Sequence, residues 1–305
     1  MGLTSVASVF SRYVVVGFIL PPFFAFLILW KTLSPGFPPD RLHYSEAANV
    51  AILGGLSLLA GLLLLGLYQG IVDLFLFNPL ENRGPRWMIR LVRRPASTMR
   101  RRLTNRRDVL RSDLEAADPA RRFDAMRKLD RFFPLPYRGV LTTRLGNVID
   151  AWKGHAISRW GLDYDAVWPR MEAMLTEQER SLHEDARTDV AFFLNSTVVA
   201  FLSACAYFGD WIAYRPHLFE VWWIGPAALA YVFYRLTVTS AARLGDRIRA
   251  SIDIHRLDLY SKLSVLDPTT FEQEQRVAKA LNEALLSRVP VPDDCRRPPS
   301  SEQKD

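Results

Sequence analysis

Twenty-six consecutive uncharged residues separate Glu46 from Asp73, and that run constrains the fold more than any other feature of the chain. A helix needs about 20 predominantly apolar residues to cross a bilayer core of about 30 Å, so this run is long enough to span one. Three further apolar runs follow the same logic. Eighteen uncharged residues lie between Arg12 and Lys31, twenty between Asp189 and Asp210, and fourteen between Glu220 and Arg235. The last is short, but Trp222, Trp223, Tyr231 and Tyr234 place amphipathic rings near its ends, with Glu220 turned to outer water and Arg235 reaching toward cytoplasmic phosphates. The average composition, 49% hydrophobic with a formal charge of +7, conceals this pattern because the arginines crowd between the apolar runs. The predicted fold is all-α, a four-span helical membrane protein with spans near 13–30, 47–72, 190–209 and 218–238.

The polar segments set the organisation. Residues 1–82 read as a first transmembrane hairpin, 83–188 as a basic helical cytoplasmic domain, 189–238 as a second hairpin, 239–288 as cytoplasmic amphipathic helices and 289–305 as a disordered, Pro-rich tail. The loops 31–46 and 209–217 hold few basic residues while the central and C-terminal segments hold most of them, which places both termini in the cytoplasm of a bacterial inner membrane. The first run lacks a small-residue cleavage site and is retained as a span. Pro21-Pro22 in its middle is expected to kink or break it.

Helix punctuation is clear in the central segment. Ser112 with Glu115 and Thr176 with Glu179 match the capping-box pattern, Asp118-Pro119 reads as N-cap and first helical residue, and Pro134 and Pro136 stop the helix that follows. A helix starting near Thr142 or Thr143 carries Leu145, Val148, Ile149, Trp152 and Ala156 on one face and ends at Gly161. No Pro or Gly interrupts the chain between Thr176 and Gly209, so the third span grows directly out of the cytoplasmic domain. The last span likewise continues, with Ala241, Leu244, Ile248, Ile252, His255, Leu259 and Leu263 as its buried stripe and Arg243, Asp246, Arg247, Asp253, Arg256 and Lys262 on the other, solvated side. A further helix is predicted over 268–286.

Within the second run, Ala51 with Gly55, Ser57 with Gly61 and Gly66 with Gly70 fall four residues apart, a spacing that lets neighbouring helices approach closely. Packing inside one subunit is the plainer reading of these residues, and a homo-oligomer face is the other. The two cysteines, Cys205 and Cys295, have no partner at metal or redox spacing and are expected to be reduced.

Thr143-Arg-Leu-Gly-Asn147 and Arg159-Trp-Gly-Leu-Asp-Tyr-Asp-Ala-Val-Trp-Pro-Arg-Met171 resemble segments of multi-span membrane proteins of actinobacteria and related bacteria, as does the helix 241–263. The resemblance implies a membrane topology and attaches no activity.

Candidate chemistry is sparse. Arg159, Trp160, Asp163, Asp165, Trp168 and Arg170 form a dense polar and aromatic knot that reads either as a small-ligand pocket or, more simply, as a turn held by ion pairs. His183-Glu184-Asp185 lacks a second histidine one turn away and reads as a solvated helix face. No phosphate-binding, dinucleotide, nucleophile-elbow or zinc-protease motif occurs, so neither a catalytic residue nor a cofactor is assigned. Asn195 reads as interhelical glue. From Arg83 to Arg131 sixteen basic residues face six acidic ones, and Arg100, Arg101, Arg102, Arg106 and Arg107 are the candidate contacts to anionic lipid headgroups. Nucleic-acid binding is disfavoured because Trp87 is the only nearby tryptophan or tyrosine. The functional expectation is a non-enzymatic membrane protein whose cytoplasmic helices bind a protein partner or regulate. A homo-oligomeric channel is the alternative and a membrane enzyme acting on lipid the third.

Overall fold

The computed structural model describes residues 11–33, 46–77, 86–116, 118–214 and 223–297. It is helical, and no strand occurs among the described residues. The first helical segment, α1, comprises Arg12–Val14, a π-helical turn at Val15–Ile19 and Leu20–Leu33. There follow α2 (Glu46–Phe77), α3 (Arg86–Ser112), α4 (Pro119–Phe132), α5 (Arg144–Trp160), α6 (Tyr164–Glu172), α7 (Glu177–Tyr214), α8 (Ile224–Lys262) and α9 (Phe271–Ser287). The chain divides into two compact units, one of residues 1–74 with 184–241 and one of residues 75–183 with 242–305. Among the described residues two helices are long and apolar enough to cross a membrane, over Val50–Asp73 and Glu177–Gly209, and a shorter apolar helix covers Arg12–Ile28. Ser45, which the sequence offers as the N-cap of the second apolar run, and Glu220 and Trp222 lie outside the described residues.

In the first unit the helices touch through small residues. A Cβ at Gly17 would sit 3.1 Å from the Ala191 Cβ, and one at Gly61 would sit 3.0 Å from the Phe18 carbonyl oxygen and 3.0 Å from Ile19 Cγ1. Around these approaches Phe18, Leu64 and Ala191 are buried. The Phe18 ring meets Tyr13 and Tyr68 edge-on at 5.3 and 5.2 Å. The outer surface is apolar: Leu56, Leu59, Leu62, Leu63 and Leu67 on α2 and Phe201 and Leu202 on α7 are exposed.

The Pro21-Pro22 pair does not break α1. A proline nitrogen has no hydrogen to donate, so the Gly17 carbonyl loses both its α-helical donor, at residue 21, and its π-helical donor, at residue 22. The turn widens, with the Leu20 amide bonding to the Val15 carbonyl. The Asn195 side-chain amide then donates to the Gly17 oxygen at 2.7 Å from α7, in a buried site.

The second unit is built around the part of α8 from Ala242 to Lys262. Trp152 of α5 lies against Gly245, where a Cβ would come within 2.5 Å of the indole. Ile248, Ile252, Leu259 and Tyr260 are buried. The side of α8 expected to face solvent is exposed at Arg243, Asp246, Arg247 and Lys262, yet three other helices also reach it. Asp246 pairs with Arg131 of α4 at 2.7 Å. Arg247 donates to the Leu182 carbonyl of α7. Arg256 pairs with Glu274 of α9 at 2.9 Å. Periodicity shows which residues share a face but not which of its charged side chains reach across to a neighbouring helix.

Caps define the ends. Asp118 accepts from the Ala120 amide, Thr143 from the Gly146 amide and Thr270 from the Gln273 amide. Thr176 and Glu179 make the reciprocal capping box, the Glu179 carboxylate accepting from the Thr176 amide at 2.9 Å and Thr176 Oγ1 accepting from the Glu179 amide at 3.3 Å. From there α7 runs 38 residues without a break. Gly161 ends α5 at φ 75°, a left-handed conformation that suits glycine. The Ser112 expectation fails: Ser112 ends α3, its hydroxyl donates back to the Val109 carbonyl, and only a short 3₁₀ turn over Asp113–Glu115 follows. Nor is residue range 289–297 loose. Cys295 is buried and unpaired, and the Leu266 amide donates to its carbonyl at 2.9 Å.

Candidate functional site

The predicted knot is brought together only in part, and its residues act as fold punctuation. Asp163 caps α6 by accepting from the Ala166 amide at 3.0 Å. Asp165 is exposed and pairs with Lys153 at 2.7 Å. Arg170 donates to the Ala166 carbonyl of its own helix at 2.6 Å. Trp168 is buried, stacked on Tyr164 at 5.8 Å and edge-on to His183 at 5.3 Å. Asn147, which closes the Thr143 to Asn147 motif, is buried and bridges the Leu141 amide and carbonyl at 2.8 and 2.9 Å. The segments 143–147 and 159–171 thus hold turns and helix ends.

Arg159 and Trp160 belong to a different cluster, which the sequence did not reveal. Two guanidinium groups lie near the Trp160 ring, Arg159 at 5.5 Å and Arg256 at 3.6 Å from its centre. Its indole N–H donates to Asp253 Oδ1 at 2.6 Å, and His155 Nε2 approaches the same oxygen at 3.0 Å. Arg256 in turn reaches the Asp253 carbonyl and the Glu274 carboxylate. Glu274 and Tyr260 are both buried, and burial, reinforced by the negative charge of Glu274, pushes the Tyr260 phenol above its usual range. Two residues beyond Asp253, His255 bonds Glu179 at 2.9 Å and faces Asp258 at 3.5 Å. The Glu179 hydrogen bond, helped by Asp258, raises the His255 pKa against a smaller opposing effect of burial. The reciprocal bond from His255, with two more from Thr176, lowers Glu179 to about 2. Four residues before Asp253, Arg249 is buried and bonds Asp130 through its carboxylate at 2.9 Å and its carbonyl at 2.6 Å.

This is a seam of charge pairs along one helix. Arg249, Asp253 and Arg256 recur at four- and three-residue spacing, the one signal in the sequence that could have marked it. Its acids and bases are held by other side chains rather than aimed at a common reacting point. Among the described residues no three His, Cys, Asp or Glu side chains gather as a cation site. His183 is not on a solvated face: it is buried and bonds Ser251 at 2.9 Å. Asp185, in the other unit, pairs with Arg12 at 2.6 Å.

The small residues of α2 separate into two sets. Ser57 is buried, its hydroxyl donating to the Leu53 carbonyl at 2.6 Å, and Gly61 lies against α1. Gly66 and Gly70 are exposed, and a Cβ at either would meet nothing within 4 Å, so neither serves packing inside the described chain.

The arginines of α3 also divide. Arg100, Arg101, Arg102 and Arg106 are exposed. Arg107 is turned inward, its side chain 14% exposed and 3.6 Å from Asp108, so it is withdrawn from the headgroup set. No family model, curated protein or solved structure matches the chain.

Proposed function

We propose that the chain is a four-span inner-membrane protein, both termini cytoplasmic, whose second unit is a non-enzymatic module that binds a protein partner or transmits a regulatory signal. The observation that supports this best is the continuity of α7 and α8. Each is a single helix with apolar, exposed side chains such as Phe201 or Val232 in one part and members of the polar seam, Glu179 or Asp253, in another. In this reading residues 190–209 and about 218–238 lie in the bilayer, and the seam lies in the cytoplasm. Apolar side chains exposed along a helix are costly in water and stable in lipid, which favours the membrane over a soluble helical bundle.

Reporter fusions test the topology. A reporter after Asp305 or inserted near Asp118 is expected in the cytoplasm and one near Pro38 outside; Pro38 on the cytoplasmic side would sink the reading.

A homo-oligomeric channel is the second reading, and Gly66 and Gly70 favour it. Their exposed small face is free to take a neighbouring helix as well as lipid. A detergent-solubilised mass of one chain, with no conductance in liposomes, would remove it.

A further inference from the structure

Of the six acidic residues between Arg83 and Arg131, five are committed to other partners, and the sixth, Glu115, is exposed. Asp113 pairs with Arg121 at 2.7 Å, Asp118 caps α4, Asp124 pairs with Lys128 at 2.5 Å, Asp130 takes Arg249, and Asp108 faces Arg107. Arg101, Arg102, Arg106 and Arg122 are exposed and, among the described residues, have no acidic partner. The same two helices leave large apolar side chains outside the core: Phe123 is 73% exposed, Met126 63% and Val109 60%. They are interleaved with the cations at helical spacing. Arg102, Arg106 and Val109 follow one stripe of α3, and Arg122, Phe123, Met126 and Arg127 one side of α4. The inward faces are already satisfied, since Leu103, Phe133 and Val140 pack with Met99, Leu110, Leu129 and Phe132.

We infer that the outward face of the α3–α4 pair, through Arg101, Arg102, Arg106 and Arg122 with Val109, Phe123 and Met126, docks on the anionic phospholipid surface of the membrane the chain spans. The inference rests on the membrane reading above. Cations that meet phosphates while apolar tips enter the boundary between headgroups and acyl chains are the arrangement of an interfacial helix. Each basic side chain near such a surface adds to the attraction, which is effective only within about a Debye length. Chain connectivity supplies the proximity: α3 begins nine residues after α2 ends, a reach of at most about 32 Å. A nucleic acid would also attract the arginines, but Val109 and Met126 have no counterpart on it, whereas both fit an acyl boundary.

The test uses the full chain in nanodiscs, with Cys205→Ser and Phe123→Cys carrying an environment-sensitive fluorophore. In discs containing phosphatidylglycerol, emission is expected to shift to the blue and to be quenched by brominated acyl chains. In pure phosphatidylcholine discs, and at about 1 M salt, where the Debye length falls to about 3 Å, the shift is expected to be lost. The triple change Arg101→Gln, Arg102→Gln and Arg106→Gln should abolish the response with insertion intact, and a label at exposed Phe271 should not respond in either disc. Equal emission in both discs would overturn the docking surface, as would a response to added RNA in neutral discs. A chain that alkaline carbonate strips from membranes would instead overturn the membrane reading, a failure separable from the first.

Discussion

The two units hold together by opposite means. In the first, cohesion comes from backbones brought close at Gly17 and Gly61, with polar side chains used to satisfy backbone groups. In the second it comes from side chains meeting around α8, where an indole fills the space over Gly245 and charge pairs link α4, α5, α7 and α9 to the same helix. The membrane topology proposed above would account for the difference. In lipid, apolar side chains gain little by leaving their surroundings for a partner helix, so close packing and satisfied backbone groups decide association. In water, burying apolar area drives folding, and charged rims remain hydrated enough to pair cheaply.

The largest test strikes the second unit. Gly245→Val would force branched carbons into the Trp152 ring, which is itself buried and cannot swing into solvent. Overpacking of this kind costs about 3 kcal/mol or more where backbone must move. Thermal unfolding followed by tryptophan fluorescence should show a large loss; an unchanged melting temperature would mean that the α5–α8 contact is not close.

Next comes the first unit. Gly61→Leu meets the Phe18 carbonyl and Ile19 and should cost about 2 kcal/mol, while Gly66→Leu and Gly70→Leu meet nothing in the chain. Detergent stability should therefore fall for Gly61 alone. If Gly66→Leu changes the solubilised mass without changing stability, the exposed glycines face another subunit; if it changes neither, they face lipid.

Much of this was legible in the sequence. The caps at Asp118, Thr143 and Thr176 and the stop at Gly161 were readable because capping is local, decided by residues three or four apart. Ser112 misled because it stands at the C-terminal end of α3, where the amides that follow bond back into the preceding turn and leave no helix N-terminus to cap. The seam was hidden because its partners are far apart in the chain, Asp130 from Arg249 and His155 from Asp253, and a charged residue in isolation looks solvated. Gly61 and Gly66 sit in the same kind of spacing, and only the path of α1 tells them apart.

The Asn195 contact gives a smaller and more specific test. Asn195→Leu removes the donor to Gly17, an acceptor that Pro21 and Pro22 have stripped of backbone partners, at a cost of about 1 kcal/mol. Pro21→Ala returns an amide at the α-helical position. In that background Asn195→Leu should cost less, and a double-mutant cycle reads the difference. Additive costs would mean that the Gly17 oxygen does not depend on Asn195.

The smallest effect is a pH dependence confined to the second unit. His255 has its pKa raised above the ordinary 6.5 chiefly by its hydrogen bond to Glu179 and also by Asp258. A group whose folded pKa is raised contributes stability that is full below its unfolded value and lost as pH climbs through the folded one. Glu179, lowered from 4.5 to about 2, contributes in the opposite sense: its share is full above 4.5 and lost as pH falls toward 2. Both shares are therefore complete between about 4.5 and 6.5. The pair is only partly shielded, with the His255 side chain 15% and Glu179 33% exposed, so the effect is modest. Wild type should exceed His255→Gln in melting temperature by its largest margin in that window, with the gap closing as pH rises toward 9. His255→Gln should leave the melting of a Gly61→Leu background shifted by the same amount, because the two sites lie in different units. A gap that stays constant from pH 5 to 9 would show that His255 holds α7 to α8 as a neutral hydrogen-bonding group and not as a cation.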